Sequence, residues 1–297
     1  MRVLRVVCLV SIFCFAFLAA SAQQSTPSSG PQTPQAASIL QQAVTALTGG
    51  SPITDVTMTG TITMARTPIV PNGASTTATG VTTTAGTITY VATANGQGEA
   101  IVSFPSSTST EIRSISGGTP TLIEVGTNGV SQAIQTQSAW SPHPAWFLPA
   151  FVLASGMSSP NYASSYIGPE TWNGVAVQHV AVWLAPPSSA ATGALSQLWQ
   201  GASQHDIYLD PASFLPVAMT FTVHPYDPTN PDRALIPYRG NSLDRPEEVD
   251  FSDYQQIHGR PVALHLHSTM TLAIELVVTD IQISSVSFNT GATVAAN

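Results

Sequence analysis

The residue types best suited to chemistry gather in the last third of the chain. His265 and His267 stand two apart in the segment VALHLHSTM, and on a strand residues two apart share a face. With the hairpin turn centred on Gly259, Asp253 falls roughly opposite His265, and two imidazoles with one carboxylate form a set that transition metals accept. The same alternation argues against a metal. Val262, Leu264 and Leu266 face the other way with Tyr254, which puts His265, His267 and Asp253 on the solvated side, so no metal ligand set is expected. His205 beside Asp206 and His224 beside Pro225 read as turn or strand-edge residues. No Gly-x-Ser-x-Gly elbow, phosphate loop or His-Glu-x-x-His segment occurs. These patterns name no catalytic machinery and no cofactor. The reading is therefore a non-enzyme, with a metal-assisted hydrolase the least favoured alternative.

What must position these residues begins with a leader. Arg2 and Arg5 precede an apolar run, Val6 to Ala20, and then the small triplet Ala20-Ser21-Ala22, which together read as a cleavable signal peptide over 1–22. The run is about 15 residues against the roughly 20 that span a bilayer, so no membrane span is expected after cleavage, and the product is expected in the periplasm or secreted. Cys8 and Cys14 are the two cysteines and both lie in this segment, in no lipid-attachment context. The mature chain is then free of disulfides and thiol chemistry. Only 8% of the residues are charged, lysine is absent, and without Arg2 and Arg5 six arginines face 16 acidic residues. Such a surface repels phosphate backbones, which excludes nucleic acid as a partner.

Residues 23–34 (QQSTPSSGPQTP) read as a disordered spacer. Ile39, Leu40, Ala43, Val44 and Leu47 then recur at helical spacing, stopped by Gly49-Gly50. From Asp55 the period changes to two: Val56, Met58, Gly60 and Ile62 alternate with threonines. Residues 67–86 are Thr, Ala, Gly and Pro and read as a long hairpin tip or insertion. Strands are expected at 87–93, 98–104, 109–115, 121–126 and 129–135 around Asn95-Gly96, Gly117-Gly118 and Asn128-Gly129, and again at 163–169 and 175–184 around Asn173-Gly174. Between these groups Trp146 to Ala154 is apolar on every side, a helix that must be buried, closed by Gly156 and kinked or restarted at Pro149. An amphipathic stretch at 192–202 carries Leu195, Leu198 and Trp199. Strands follow at 217–224, 248–257, 261–270 and 272–283, the last changing parity near Val277-Val278, which reads as a β-bulge. The loop 225–246 holds Arg233, Arg239 and Arg245 beside Asp227, Asp232 and Asp244.

The order of these parts resembles the LolA/LolB-like lipoprotein-carrier superfamily of periplasmic half-barrel proteins. Four segments carry the resemblance: AASILQQAVTALTGGSPITDVTMTGTITM, HPAWFLPAFVLAS, IYLDPASFLPVAMTF and VDFSDYQQIHGRPVALHL. It implies a mostly β (α+β) fold over 35–290, a single curved antiparallel half-open barrel with helices covering the concave face, and a C-terminal tail at 291–297. It also implies an exported binding protein that holds a lipid, an acyl chain or a lipidated protein in a hydrophobic concavity. The arginine with which some carriers latch their lid matches no single position here. By parity and by the plug helix, the expected wall is Trp146, Phe147, Phe151, Val217, Met219, Phe221, Tyr254, Leu264 and Leu266, and His224, Asp253, His265 and His267 are expected outside. The same aromatics suit an ordinary core, which leaves an extracytoplasmic interaction or structural domain as the alternative.

Overall fold

The computed structural model describes residues 33–69, 80–95, 97–116, 119–127, 131–134, 148–158, 162–184, 200, 203–223, 245–272 and 275–294. Thr33 opens the first helix, α1 (Pro34–Thr48): its Oγ1 accepts from the Ala36 N–H at 3.3 Å, and Pro34 supplies a preset φ in the first turn. Ala36, Ile39, Leu40, Ala43 and Leu47 form the buried stripe, and Gly49 ends the helix at φ 61°. A Cβ on Gly49 would lie 2.8 Å from the Gly259 carbonyl oxygen, so this helix end abuts the turn at 258–259.

The strands are β1 (Asp55–Pro68), β2 (Thr82–Thr93), β3 (Gly98–Phe104), β4 (Ser107–Ser116), β5 (Thr119–Val125) and β6 (Ser131–Ile134). The second helix, α2 (Pro149–Ser158), precedes β7 (Tyr162–Trp172), β8 (Val175–Leu184), β9 (His205–Leu209), β10 (Pro216–Val223), β11 (Arg245–Ile257), β12 (Arg260–Thr271) and β13 (Glu275–Phe288). All thirteen belong to one antiparallel sheet in the order β6-β5-β4-β3-β2-β1-β13-β12-β11-β10-β9-β8-β7. The pairing of β1 with β13 joins the two meanders. β6 and β7, consecutive strands of the chain, are the two edges, so the sheet stays open, as a half-open barrel requires.

Local chemistry accounts for the turns. Asn173 (φ 46°) with Gly174 (φ 84°), and His258 (φ 51°) with Gly259 (φ 77°), supply the paired positive φ values that a two-residue hairpin needs. Between β9 and β10, Asp210 Oδ1 accepts from Ser213 N–H at 2.7 Å, Ser213 Oγ at 2.8 Å and Ala212 N–H at 3.1 Å. Those bonds, led by the Ser213 amide, hold its carboxyl below the usual value. At the start of β1 the buried Asp55 accepts from the Thr290 N–H at 2.8 Å and the Gly291 N–H at 3.1 Å. These bonds fix the first residues beyond β13 to the start of β1.

Several expected boundaries move. Residues 82–86 belong to β2 rather than to a loop, because a Thr-Ala-Gly strand has no apolar alternation to read. Helix α2 starts at Pro149, whose ring suits a first turn, and it contains Gly156 instead of stopping there. Arg245 and Pro246 open β11, paired with Val223 and Thr222, and are not loop residues. In β13, Val277, Thr279, Ile281 and Ile283 keep one parity throughout; the extra residue is Ser284, since Gly60 pairs with Ile283 and Thr59 with Ser285. Leu276-Val277-Val278 is an apolar run and not a parity switch. The stretch 192–199 and the loop from 225 to 244 lie outside the described residues.

Candidate functional site

One face of the sheet carries the main core. Val56, Met58 and Ile62 of β1, Ile88 and Tyr90 of β2, Ile281 and Ile283 of β13, Leu266 of β12, Val249 and Phe251 of β11, Met219 and Phe221 of β10 and Ile207 and Leu209 of β9 form one apolar field with α1 and α2 over it. Cross-strand pairing lines these residues up: Phe251 opposes Leu266, Leu266 opposes Ile281, and Ile281 opposes Ile62. Most of their neighbours in sequence are polar or small, the two-faced pattern of an antiparallel sheet. Leu153 and Ala150 of α2, with Leu148 just before it, plug the field. Around it runs a fringe of half-buried apolar side chains, including Val102, Phe104, Phe151, Tyr162, Leu264 and Phe288.

The expected wall residues distribute over this picture unevenly. Met219, Phe221 and Leu266 are buried in the field, and Phe151, Tyr254 and Leu264 pack half-buried against it. Tyr254 donates its hydroxyl to the Pro216 carbonyl at 2.8 Å, and burial pushes its phenol well above the ordinary value. Val217 is a correction. The register slips between Pro216 and Ala218, and Val217 turns to the opposite face, against Val177, Tyr208 and Ala218. Trp146 and Phe147 lie outside the described residues. Sequence reasoning did not single out Val249, Phe251, Ile281 or Ile283 as wall, although each sits on the apolar parity of its strand.

The field is not wholly apolar. Glu247 and His205, 3% and 6% exposed, flank Phe221 on the two neighbouring strands. Glu247 Oε1 accepts from the Ser268 hydroxyl at 2.8 Å, and the His205 and Phe221 rings lie 5.7 Å apart. This end of the covered face can therefore accommodate hydrogen-bonding groups, whereas the end at Val56, Met58 and Tyr90 is apolar.

The outer face carries the other histidines. His265 and His267 lie there, as parity requires, but their carboxylate is Asp280 of β13 and not Asp253: His267 Nδ1 is 2.8 Å and His265 Nε2 3.3 Å from Asp280 Oδ1. Burial by itself raises the Asp280 carboxyl, and the bonds from the two histidines outweigh it and hold the carboxyl below its usual value. Ser252 Oγ sits 2.9 Å from His265 Nδ1, so serine, imidazole and carboxylate are in line. With the three side chains of His265, His267 and Asp280 36–47% exposed, water screens this chain of contacts, and Asp280 serves two imidazoles at once. Among the described residues no group of three or more His, Cys, Asp or Glu side chains is arranged to hold a metal ion. His224 lies outside the described residues.

A second outer cluster was not read from the sequence. His179 of β8 lies between Glu170 of β7 and Asp206 of β9, Nδ1 2.5 Å from Glu170 Oε1 and Nε2 2.8 Å from Asp206 Oδ1. The Glu170 contact is ionic more than directional, since Nδ1 has no aligned hydrogen bond. Tyr208 tilts over the imidazole at 4.6 Å and stacks on Trp172 at 4.1 Å, and Trp172 Nε1 donates to Asp250 at 2.9 Å.

Fold and covered face together define an open antiparallel sheet whose apolar side is roofed by helices. Solved structures similar to the chain include a domain assigned to outer membrane lipoprotein sorting from Vibrio parahaemolyticus (15% identity, 86% of this chain and 93% of that one, TM-score 0.48). A DUF1329 family protein from Desulfovibrio piger is similar at 12% identity over 88% and 96% of the two chains, TM-score 0.48. The LolA superfamily, whose resemblance the sequence carries, is represented by a protein from Nitrosomonas europaea at 12% identity over 86% and 93%, TM-score 0.40. No family model matches the sequence, and no curated protein matches it. No described helix is long and apolar enough to cross a membrane.

Proposed function

We propose that this chain is an exported binding protein, its residues 35–290 acting as one unit that holds an acyl chain or similar apolar ligand on the helix-covered face. The observation that carries the reading is the fringe. Phe104, Phe151, Leu264 and Phe288 continue the apolar field beyond its sealed centre and remain partly open, and an acyl chain needs a continuous apolar wall with few polar groups. Glu247, His205 and Ser268 supply a polar end to the same face, which suits a ligand with one polar terminus. The alternative, an interaction domain without a small ligand, draws support from the centre of the field, where Leu153, Met219, Leu266 and Ile281 are under 2% exposed.

The test is titration of the folded protein with a fluorescent fatty acid, beside Phe151→Ala, Leu264→Ala and, on the outer face, Val217→Ala. Weaker binding by the first two and unchanged binding by the third supports the carrier reading. A folded wild type that takes up no probe and purifies without lipid refutes it in favour of the interaction domain. Export is tested separately: the intact mass of secreted material is expected to begin at or near Gln23.

A further inference from the structure

We propose that His179 is a proton-operated clamp: as an imidazolium it ties the edge strand β7 to β9 across β8, and on losing its proton it frees that edge. The geometry is the argument. Carboxylate oxygens stand at both ring nitrogens, 2.5 Å and 2.8 Å away. An imidazolium offers an N–H at each nitrogen, but a neutral imidazole offers one and turns a lone pair toward the other carboxylate. Only the charged ring suits both partners.

Every charged neighbour favours the proton. Glu170 faces the ring from β7 and Asp206 from β9, where Gln204 Nε2 holds both Asp206 oxygens at 3.0 Å and 3.1 Å and fixes the carboxylate in place. Tyr208 of β9 covers one face of the ring and is uncharged, its own hydroxyl pushed up by burial. Beyond Tyr208 and Trp172, β11 adds Asp250 and Glu248. No arginine enters this cluster among the described residues. Burial by itself lowers the His179 value, yet the Asp206 and Glu170 contacts outweigh it and leave the net shift upward. The sign follows: the clamp is fully engaged below the unfolded-state value of about 6.5 and is lost as pH rises through the higher folded-state value.

What the clamp holds gives it a consequence. Among the described strands β7 pairs with β8 alone, and along its other edge it carries the start of α1: Thr33 N–H donates to the Ser164 carbonyl at 3.1 Å, and Tyr166 N–H donates to Thr33 Oγ1 at 3.3 Å. Both helices pack against this strand. Loosening β7 therefore loosens the footing of the roof over the covered face, whatever that face holds.

The experiment is a pair of NMR measurements on the whole mature chain. The His179 ring is titrated, and amide protection factors of β7 and of Thr33 are compared at pH 5.5 and 8.5 with those of β1 and β13 as internal reference. The expected midpoint lies above 6.5. Protection along β7 is expected to fall by roughly two- to fivefold at the higher pH, the loss of one half-exposed ion pair, while the reference strands stay constant. His179→Gln is expected to remove the pH dependence; Glu170→Gln, which keeps the shape and deletes one charge, is expected to lower the midpoint and serves if the first variant does not fold. A midpoint at or below 6.5, or β7 protection that follows the reference strands at both pH values, overturns the proposal.

Discussion

Replacing Gly60 by alanine tests the register of the β1–β13 seam that joins the two halves of the sheet. An ideal Cβ at Gly60 lies 2.3 Å from the Gln282 carbonyl oxygen and 3.0 Å from Ile283 Cα, both backbone atoms that no rotamer change can move. A carbon normally keeps about 3.3 Å or more from a carbonyl oxygen, so β13 has to retreat by roughly 1 Å beside the bulge at Ser284. Overpacking of this kind costs about 1–3 kcal/mol, and the entropy gained from a less flexible unfolded chain returns about 0.4–1 kcal/mol. The net expectation is a loss of about 1.3 kcal/mol, or roughly 3–5 °C in Tm for a domain of this size. Urea unfolding followed by far-ultraviolet circular dichroism reads the first quantity and thermal melting the second. Hydrogen exchange should localise the damage to residues 281–286. A Gly60→Ala protein within about 0.5 kcal/mol of wild type would refute the register, because a seam shifted by one residue removes the clash.

Three further outcomes are expected. Asp55→Asn removes the charge that accepts from Thr290 and Gly291 and should cost about 2–3 kcal/mol by urea unfolding at neutral pH. Burial alone would raise the Asp55 carboxyl, but those amide bonds with the Thr54 hydroxyl hold it low, so its contribution is present above the unfolded value of 3.8 and lost as pH falls through the folded one; the variant should accordingly lose less stability on acidification than wild type. Trp172→Phe keeps most of the stack on Tyr208 and deletes the bond to Asp250, with an expected loss of about 1.5 kcal/mol in chemical denaturation. Leu266→Ala, in the sealed centre, should cost about 2–5 kcal/mol, and Val217→Ala on the other face distinctly less, a contrast that unfolding curves resolve directly.

The parts of this fold that were legible in the sequence are those whose cause is local. Asn173-Gly174 and His258-Gly259 announce their hairpins because positive φ at two successive positions selects these residues. Met58 and Ile62, or Met219 and Phe221, announce their face because one side of the strand is core. What escaped depends on the neighbouring strand. Val217 has the apolar type of an inward residue, and only the slip against β9 turns it outward. Asp280 meets His265 and His267 because β13 arrives beside β12 through pairing, whereas counting back from the turn, the only guide within the hairpin's own sequence, points to Asp253. The Glu170–His179–Asp206 cluster comes from three strands and has no motif in any one of them.

An open sheet leaves two edges with unpaired backbone groups, and how they are managed bears on which reading of function is tenable. At β7 the start of α1 occupies part of the edge through Thr33, the register breaks between Tyr166 and Gly168, and Pro169 offers no N–H. Each of these obstructs the addition of a further strand, and together they leave no long flat edge to template one. A partner protein therefore has little to gain by extending the sheet at β7. Of the two faces, the outer one carries charged side chains, its histidines held by Glu170, Asp206 and Asp280, around a small apolar cluster at Val177 and Tyr208, and the covered one is apolar to its half-open fringe. A partner that engages the covered face must itself bring apolar surface. The carrier and interaction readings thus converge on the same residues, and binding of a free acyl chain, with no protein attached, is the measurement that separates them.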